Sequence, residues 1–443
     1  MLDIKLIREN PKIVESNLKK RGDEEKLKLL KALIESDRKY RDDLKELEKL
    51  KHDRNVVSEE IAKLVRKSKE VSTFSQELQM DHIKTLEKKM KEAAELSEKI
   101  RKLEEDVSSQ KEMIDFSIMR IPNLLHESVP AGKGEENNVV VKTYGKQPKF
   151  NFEPKNHLDI LKDLGLVDDE RAEKVAGRGF FYLKGPLALL DRALQSYAIE
   201  SLMKKGYLFI YPPHMLRKAP YEGMVDLTDF ESMMYKIDDE DLYLIATAEH
   251  PVGAMFKDEV LSKKNLPMKM VGFSTNFRKE VGAHGKYTKG LFRMHQFNKV
   301  EQFIFCLPED SWKHHEEIQK NSEELYKDLG LHFRTVILCS GETGTVSAKT
   351  YDIELWMSDN VFREVGSNSN CLDYQARRLN LRFREKEGQA PKGFLHTLNN
   401  TAIATSRTIV GLVEQFQQKD GTVLIPKVLW PFMNGIKKLE KLR

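Results

Sequence analysis

The sequence predicts an α+β protein: a long N-terminal antiparallel α-helical hairpin, read as a coiled coil, followed by an antiparallel α+β body. Three observations carry that prediction. Residues 26–115 contain no Pro, Gly or Trp and repeat apolar residues at helical spacings. A stretch marked by Pro122, Pro130, Gly132 and Gly134 then closes this region. From Gly185 onward, strand patterns follow one another with helices between them and without regular βαβ alternation.

Each element has a local reason. Leu44, Leu47, Val57, Ile61 and Leu64 form one apolar series, and Leu86, Met90, Ala93, Ile100, Leu103 and Val107 form a second. Lys, Arg, Glu and Asp fill the positions between, so each helix offers a narrow seam to its neighbour. The break falls at Ser68 to Ser75, which makes each helix about 40 residues and roughly 60 Å long. The simplest arrangement is a hairpin that stands out from a globular body. In that body, Leu187 to Lys205 reads as a helix stopped by Gly206. Tyr207 to Tyr211 reads as a strand ended by Pro212-Pro213. Further strands fit Asp241–Ala246, Met270–Phe277, Phe292–Phe297, Glu301–Cys306, Phe333–Leu338, Tyr351–Trp356 and Val361–Val365.

A chain of 443 residues with 40% apolar content holds two or three domains and a sizeable core. The net charge of +4 excludes a generic polycation, so a nucleic-acid partner would have to meet local basic patches. Cys306, Cys339 and Cys371 are far apart and show no metal spacing, as expected of reduced thiols in a cytoplasmic protein. The N-terminus is charged too early for a secretory signal, and no apolar run approaches the ~20 residues needed to cross a bilayer. No glycine-rich phosphate loop and no dinucleotide fingerprint occurs.

Residues 277–301 carry the most chemistry. Phe277-Arg278-Lys279-Glu280 leads into the polar loop Ala283–Gly290, and the return run contains Arg293 and ends at Glu301. On a strand, Arg278 and Glu280 would project to one face. Two guanidiniums across a glycine-bearing basic turn suit phosphates, because the planar fork of arginine makes paired hydrogen bonds and keeps its charge. On these grounds a metabolite kinase or ligase fits equally well.

The remaining motifs narrow the choice. The helix–Gly206–strand–Pro213 segment resembles the dimer-forming motif 1 of class II aminoacyl-tRNA synthetases. Residues 277–301 resemble motif 2, and Asn399-Asn400-Thr401-Ala402-Ile403-Ala404-Thr405-Ser406-Arg407 resembles motif 3. Thr247-Ala248-Glu249, the run Glu364 to Asn370 leading into Tyr374-Gln375-Ala376-Arg377-Arg378, and His396-Thr397-Leu398-Asn399 are similar to the seryl-tRNA synthetase family in particular. So is the opening Met1-Leu2-Asp3 with Arg8, Asn10 and Pro11. The resemblance covers essentially the whole chain. It departs from the family pattern at the glycine-poor motif 3, at Gly366 and Asn368, and at Lys289.

The resemblance implies a class II antiparallel sheet flanked by helices, a tRNA-binding N-terminal domain over 1–120 with its hairpin arm at 26–115, and a catalytic domain over 121–443. It implies a homodimer that joins L-serine and ATP into seryl-adenylate with Mg²⁺, then loads tRNA-Ser; the family also loads tRNA-Sec where that tRNA exists. Arg278, Arg293 and Arg407 are the expected catalytic arginines. Arg278 would meet the α-phosphate and the serine carboxylate, Arg407 the γ-phosphate, and Glu280 the adenine, with Lys279, Val365, Gly366 and Ser367 completing the ATP site. Glu364 is the expected Mg²⁺ ligand, since nucleotide-bound Mg²⁺ takes only one or two protein carboxylates. Thr247, Ala248, Glu249, Arg278, Glu301, Asn399 and Thr401 would receive serine. For Glu301, an ion pair with Lys299 is the competing reading, and for Thr401 it is a helix cap. Lys286 and Lys289 of the loop, with the hairpin, would meet tRNA through phosphates and stacking. The histidines show no ligand pattern, so no zinc is expected. The alternative is a class II paralogue that activates a small amino acid for a non-tRNA carrier; such relatives tend to lack the arm.

Overall fold

The computed structural model describes residues 1–71, 75–226, 231–280 and 290–442. The chain divides into two compact units. One comprises Ile4–Pro11 and Glu24–Ile121; the other comprises Met1–Asp3, Lys12–Asp23 and the chain from Pro122 onward.

The first unit is helical. After the short helices α1 (Ile4–Glu9) and α2 (Pro11–Arg21), the latter grouped with the other unit, come α3 (Glu24–Val71) and α4 (Gln76–Ile118), of 48 and 43 residues. At 1.5 Å per residue these reach roughly 70 and 65 Å. Of the expected break at Ser68 to Ser75, residues 68–71 continue the first helix and Ser75 is extended, while residues 72–74 fall outside the described residues. Leu30, Leu33, Leu47, Val57 and Ile100 are buried along the seam, whereas Met90 is exposed. Two helices alone cannot enclose a full apolar stripe, so two ion pairs and a hydrogen bond flank it: Lys51 to Glu104 at 2.7 Å, Lys89 to Glu60 at 2.9 Å, and the Gln110 amide to Asp43 at 2.7 Å. At the base, buried Asp37 accepts two hydrogen bonds from Arg8 (2.6 and 2.9 Å) and one from Arg41 (3.0 Å).

The second unit is built on an eight-stranded sheet. In chain order its strands are β1 (Val139–Tyr144), β2 (Leu208–Ile210), β3 (Met268–Phe277), β4 (Gln296–Cys306), β5 (Phe333–Ile337), β6 (Lys349–Trp356), β7 (Phe362–Asn370) and β8 (His396–Ala404). Their order across the sheet is β1-β5-β6-β7-β8-β4-β3-β2. All neighbours pair antiparallel except β2 and β3, which run parallel with Leu208 opposite Met270. The sheet is therefore mixed rather than wholly antiparallel. Gly206, at φ +85°, turns the chain out of helix α5 (Pro186–Met203) into β2. A long crossover, not a hairpin, then connects β2 to β3, which is what a parallel pair requires.

Three further strand expectations change. Of Phe292–Phe297 only Gln296 and Phe297 are strand, and they join Glu301–Cys306 in the one strand β4, which follows a 3₁₀ turn over Gly290–Phe292. Strand β7 continues five residues past Val365, and Asp241–Ala246 retains only Tyr243–Leu244 as strand. Arg278 and Glu280 do not share a strand face. Strand β3 ends at Phe277, and Glu280 sits at φ +47°.

Helix α6 (Ser311–Asp328) covers one face of the central strands. Asn400 Nδ2 donates to the Ile318 carbonyl at 2.6 Å, Asn368 Nδ2 to the His315 carbonyl at 3.0 Å, and Gln302 Nε2 to Ser322 Oγ at 3.0 Å. The N–H groups of these buried amides are thus bonded, as buried donors generally are. Alternation then sends Glu301, Asn399, Thr401, Ser367 and Ser369 to the opposite face, where the cavity lies.

Candidate active site

Two bulges set the wall of this cavity. The pairing of β6 with β7 shifts between Ile353 and Glu354, with Gly366 opposite the first and Glu364 opposite the second. The extra residue, Val365, moves Glu364 onto the face that also carries Ser367 and Ser369. The pairing of β8 with β4 shifts between Thr401 and Ile403, which brings Ala404 onto the face of Asn399 and Thr401. The result is a cavity of about 390 Å³ roofed by the residues after β3 and by the start of helix α7 (Thr405–Gln415).

One end is cationic. Arg278 follows β3 directly; its Nε donates to the Ala246 carbonyl at 3.2 Å and its guanidinium lies 5.2 Å from the Phe297 ring centre. Burial pulls its pKa down, and the charge of Arg407 adds to that. Arg407, in the first turn of α7, donates to Glu364 at 2.9 Å and sits 5.0 Å over the Phe292 ring. Enclosure raises the Glu364 carboxyl, but Arg407 and then Arg278 outweigh it and hold the pKa below the ordinary value. Glu280 accepts from Arg293 at 2.8 Å, a pair that spans the two limbs of the loop.

The other end is anionic. Glu301 is 2% exposed and pairs with Lys299 at 2.8 Å, two residues away on the same strand. Thr401, its cross-strand partner, donates to it at 3.2 Å. Glu249 begins a short helix, Glu249–Gly253, and its backbone N–H donates to Thr247 Oγ1 at 3.2 Å. Its carboxylate accepts from Gln375 at 3.2 Å and from Asn399 at 3.1 Å. Burial, then the charge of Glu301, raises the Glu249 pKa to about 7. Burial likewise pushes Glu301 up, against Lys299 and Thr401. Two carboxylates thus share one lysine, which leaves this end one cation short.

The cavity gathers most of the expected residues: Thr247, Glu249, Arg278, Glu280, Glu301, Glu364, Val365, Gly366, Ser367, Asn399, Thr401 and Arg407 all line it. Three do not. Arg293 stands behind Glu280. Lys279 is exposed, with its ammonium 5.6 Å over the Tyr235 ring. Ala248 is fully buried against the backbone of Gly272, where a Cβ would approach its methyl to 3.1 Å. Lys286 and Lys289 lie outside the described residues. Sequence reasoning missed Phe292, Phe297, Ser406 and Ser347 as lining residues, and treated Lys299 only as a partner for Glu301. The aromatics flanking Arg293 were a usable signal, since guanidiniums stack on rings; Ser347 had none.

Among the described residues, no group of three or more His, Cys, Asp or Glu is placed to hold a metal by itself. The donor set does suit a nucleotide-bound Mg²⁺, which takes few protein ligands. Glu364 and Ser367 share a face, and beside them buried Asp352 has an Oδ1 without a hydrogen-bond partner. Burial and the charge of Glu364 raise the Asp352 pKa well above its ordinary value.

A sheet of this topology, with an arginine after one strand and another opening a helix across the same cavity, defines the class: a class II aminoacyl-tRNA synthetase. Residues 233–416 match the family model described as the tRNA synthetase class II core domain (G, H, P, S and T). Residues 1–125 match the seryl-tRNA synthetase N-terminal domain. The serine–tRNA ligase of Methanocella arvoryzae is 46% identical over 440 residues, covering 99% of this chain and 100% of the relative. The crystal structure of seryl-tRNA synthetase from Pyrococcus horikoshii complexed with ATP superposes with a TM-score of 0.90 at 44% identity, covering 100% of both chains. The cytoplasmic serine–tRNA ligase of Naegleria fowleri in complex with AMP gives 0.85 at 35% identity, covering 100% of this chain and 99% of that one. The chain belongs to the seryl-tRNA synthetase family.

Proposed function

We propose that this chain activates L-serine with ATP and transfers the seryl group to the 3′ end of tRNA-Ser. The observation that carries this reading is a single cavity with a cation-deficient dicarboxylate end and a two-arginine end. The ammonium of serine supplies the missing cation beside Glu249 and Glu301, and its hydroxyl fits the short polar floor at Thr401, Glu301 and Lys299. The serine carboxylate is then directed toward Arg278. Its oxygen attacks the α-phosphorus of ATP, the bond to the β-phosphate breaks and pyrophosphate leaves. Arg278 lowers the repulsion between the two anions and stabilises charge that grows in the transition state. Phe292 and Arg407 frame a slot for the adenine, with Glu280 positioned by Arg293 to accept from its amine, and Arg407 also faces the terminal phosphates. Glu364 and Ser367 would hold Mg²⁺, which when bound neutralises phosphate charge. In the second step a ribose hydroxyl at the tRNA 3′ end attacks the carbonyl carbon, and AMP leaves.

The same reading assigns the hairpin, with Lys286 and Lys289, to tRNA, and pairs two chains through motif 1. Exposed Leu208 and Tyr211 on and beside edge strand β2 support that pairing. It places the protein in the cytoplasm; no described helix is long and apolar enough to cross a membrane. Serine-dependent ATP–pyrophosphate exchange, followed by serine transfer to tRNA-Ser, tests the proposal. No exchange overturns it, and exchange without loading redirects it to a carrier other than tRNA.

A further inference from the structure

Residues 338–348 join β5 to β6 without helix or strand, yet they supply Val346 and Ser347 to the wall of the active-site cavity. A buried segment of this kind must find partners for its carbonyls, since a carbonyl enclosed without one is costly. Arg21, the last residue of α2, provides several of them. Its Nη1 donates to the Thr343 carbonyl at 2.6 Å, and its Nη2 donates to the carbonyls of Asn123 at 2.9 Å and Ser347 at 3.1 Å. Asn123 completes the clamp. Its backbone N–H donates to the Thr345 carbonyl at 2.8 Å, and its Nδ2 donates to those of Val346 at 3.0 Å and Cys371 at 2.8 Å. Helix α2 stands early in the chain but belongs to the unit that holds the sheet, and Ser340 Oγ donates to the Lys20 carbonyl beside Arg21. Burial pulls the Arg21 pKa down to about 10, so the guanidinium keeps its charge at neutral pH.

From this clamp a run of hydrogen bonds reaches the anionic end of the cavity. The Ser347 side chain bonds the Cys371 sulfur. Asn399 Nδ2 donates to the same sulfur at 3.7 Å and to the Glu249 carboxylate at 3.1 Å. The cationic end is anchored elsewhere, with Arg278 on the Ala246 carbonyl and Arg407 on Glu364.

Resting on the function proposed above, we infer that Arg21 is a positioning residue for serine: it holds residues 343–347 so that Ser347, Cys371 and Asn399 set Glu249 for the substrate ammonium, and it leaves the ATP end untouched. A guanidinium suits this task because its planar fork fixes the carbonyls of two segments at once. The ammonium of lysine is a point charge on a flexible stem and cannot impose that geometry. Without the fork, the carbonyls of Thr343, Asn123 and Ser347 lose their shared donor, and the loop must relax to satisfy them. A displacement of about 1 Å in such a support is enough to weaken what it positions.

The test measures serine-dependent pyrophosphate exchange on the full-length protein, with circular dichroism to confirm the fold of each variant. Arg21→Ala raises the serine KM about tenfold or more, while kcat and the ATP KM stay within about twofold of the parent. Millimolar guanidinium ion lowers that serine KM again, and methylammonium does not. Arg21→Lys, which keeps the charge and the stem but not the fork, falls between Arg21→Ala and the parent. Combining Arg21→Lys with Ser347→Ala weakens serine by less than the two changes summed, as two parts of one support should. If Arg21→Ala does not fold, Arg21→Lys carries the same comparison. A serine KM at the parent value in the variants that fold overturns the inference, and so do kcat and ATP KM values that change in step with the serine KM. A parent protein without serine-dependent exchange overturns the underlying functional reading instead, which keeps the two failures distinct.

Discussion

Replacing Glu249 by glutamine removes one of the two carboxylates proposed above to receive the serine ammonium while keeping the shape and the acceptor that Gln375 and Asn399 address. A full unit charge at 4 Å in an effective dielectric of 20 is worth about 4 kcal/mol. Glu301 remains and retains part of that attraction, so the net loss is closer to that of one charged hydrogen bond, about 2–3 kcal/mol. This corresponds to roughly 30- to 150-fold in kcat/KM for serine. The pKa near 7 adds a pH signature. In the empty site a proton competes with the ammonium, so KM for serine rises as pH falls below 7, approaching about tenfold per pH unit, and Glu249→Gln flattens that limb. Stability moves the other way. A carboxyl whose folded pKa exceeds its ordinary 4.5 favours the fold fully below that value, and the contribution is lost as pH rises through about 7. Glu249→Gln should therefore melt higher than the parent at pH 8 while binding serine worse. Pyrophosphate exchange at pH 5.5 to 8.5, beside thermal melts, reads both quantities. A variant within about threefold of the parent in kcat/KM, or a parent with a flat serine KM across that range, refutes the charge-balance argument.

Three further outcomes follow from the same geometry. Arg278→Ala removes the guanidinium proposed above for the reacting phosphate and should lower exchange by about 10²–10³-fold or more while the mass by light scattering stays that of the parent; retained exchange would show that another group is the anchor. Gly366→Ala sets a Cβ 3.1 Å from Thr401 Cβ and 3.2 Å from its methyl, and should raise the serine KM about tenfold with kcat unchanged, measurable by exchange. Asp37→Asn strips the charge that Arg8 and Arg41 share. Burial raises the Asp37 pKa but those arginines outweigh it and hold it below the ordinary 3.8, so its stabilisation is present above that value and is lost as pH falls through the lowered pKa. The variant should lose about 2 kcal/mol at pH 7 in the helical unit, with the difference from the parent vanishing in acid; equal denaturant midpoints at pH 7 would refute it.

The hairpin was legible because nothing but a helix pattern runs through residues 26–115, and only the ends of its helices differ. Individual strands were read less well, and the errors share a cause. Gly366, Ser367 and Asn368 have the composition of a turn, yet they continue β7 through the middle of the sheet. His396–Ala404 was recognised as a motif but not as a strand, although it lies between β7 and β4. Asn298 and Lys299 split what is one strand into two in the sequence reading. Each of these segments is polar because one face carries the cavity and the other bonds helix α6 through Asn368, Asn400 and Gln302. Strand rules built on apolar alternation fail where both faces of a central strand have polar work.

That failure also explains why the cavity-lining residues could be named from the sequence while their geometry could not. Arg278 and Glu280 were expected side by side on a strand. Instead β3 stops at Phe277, Arg278 turns to Ala246 and Phe297, and Glu280 adopts a left-handed conformation that hands it to Arg293. The separation has a chemical consequence. On one strand face the two would neutralise each other and leave no free cation for phosphate. With Glu280 held by Arg293, burial and then the charge of Arg407 lower the Arg278 pKa, as expected where cations are enclosed together. The bulge at Val365 does the complementary task by placing Glu364 against Arg407, so that one guanidinium is paired with a carboxylate and the other is held by the Ala246 carbonyl. Residue types and order pointed to the chemistry. The division of labour between the two arginines depends on where a strand ends and where another is interrupted, and a single sequence marks neither.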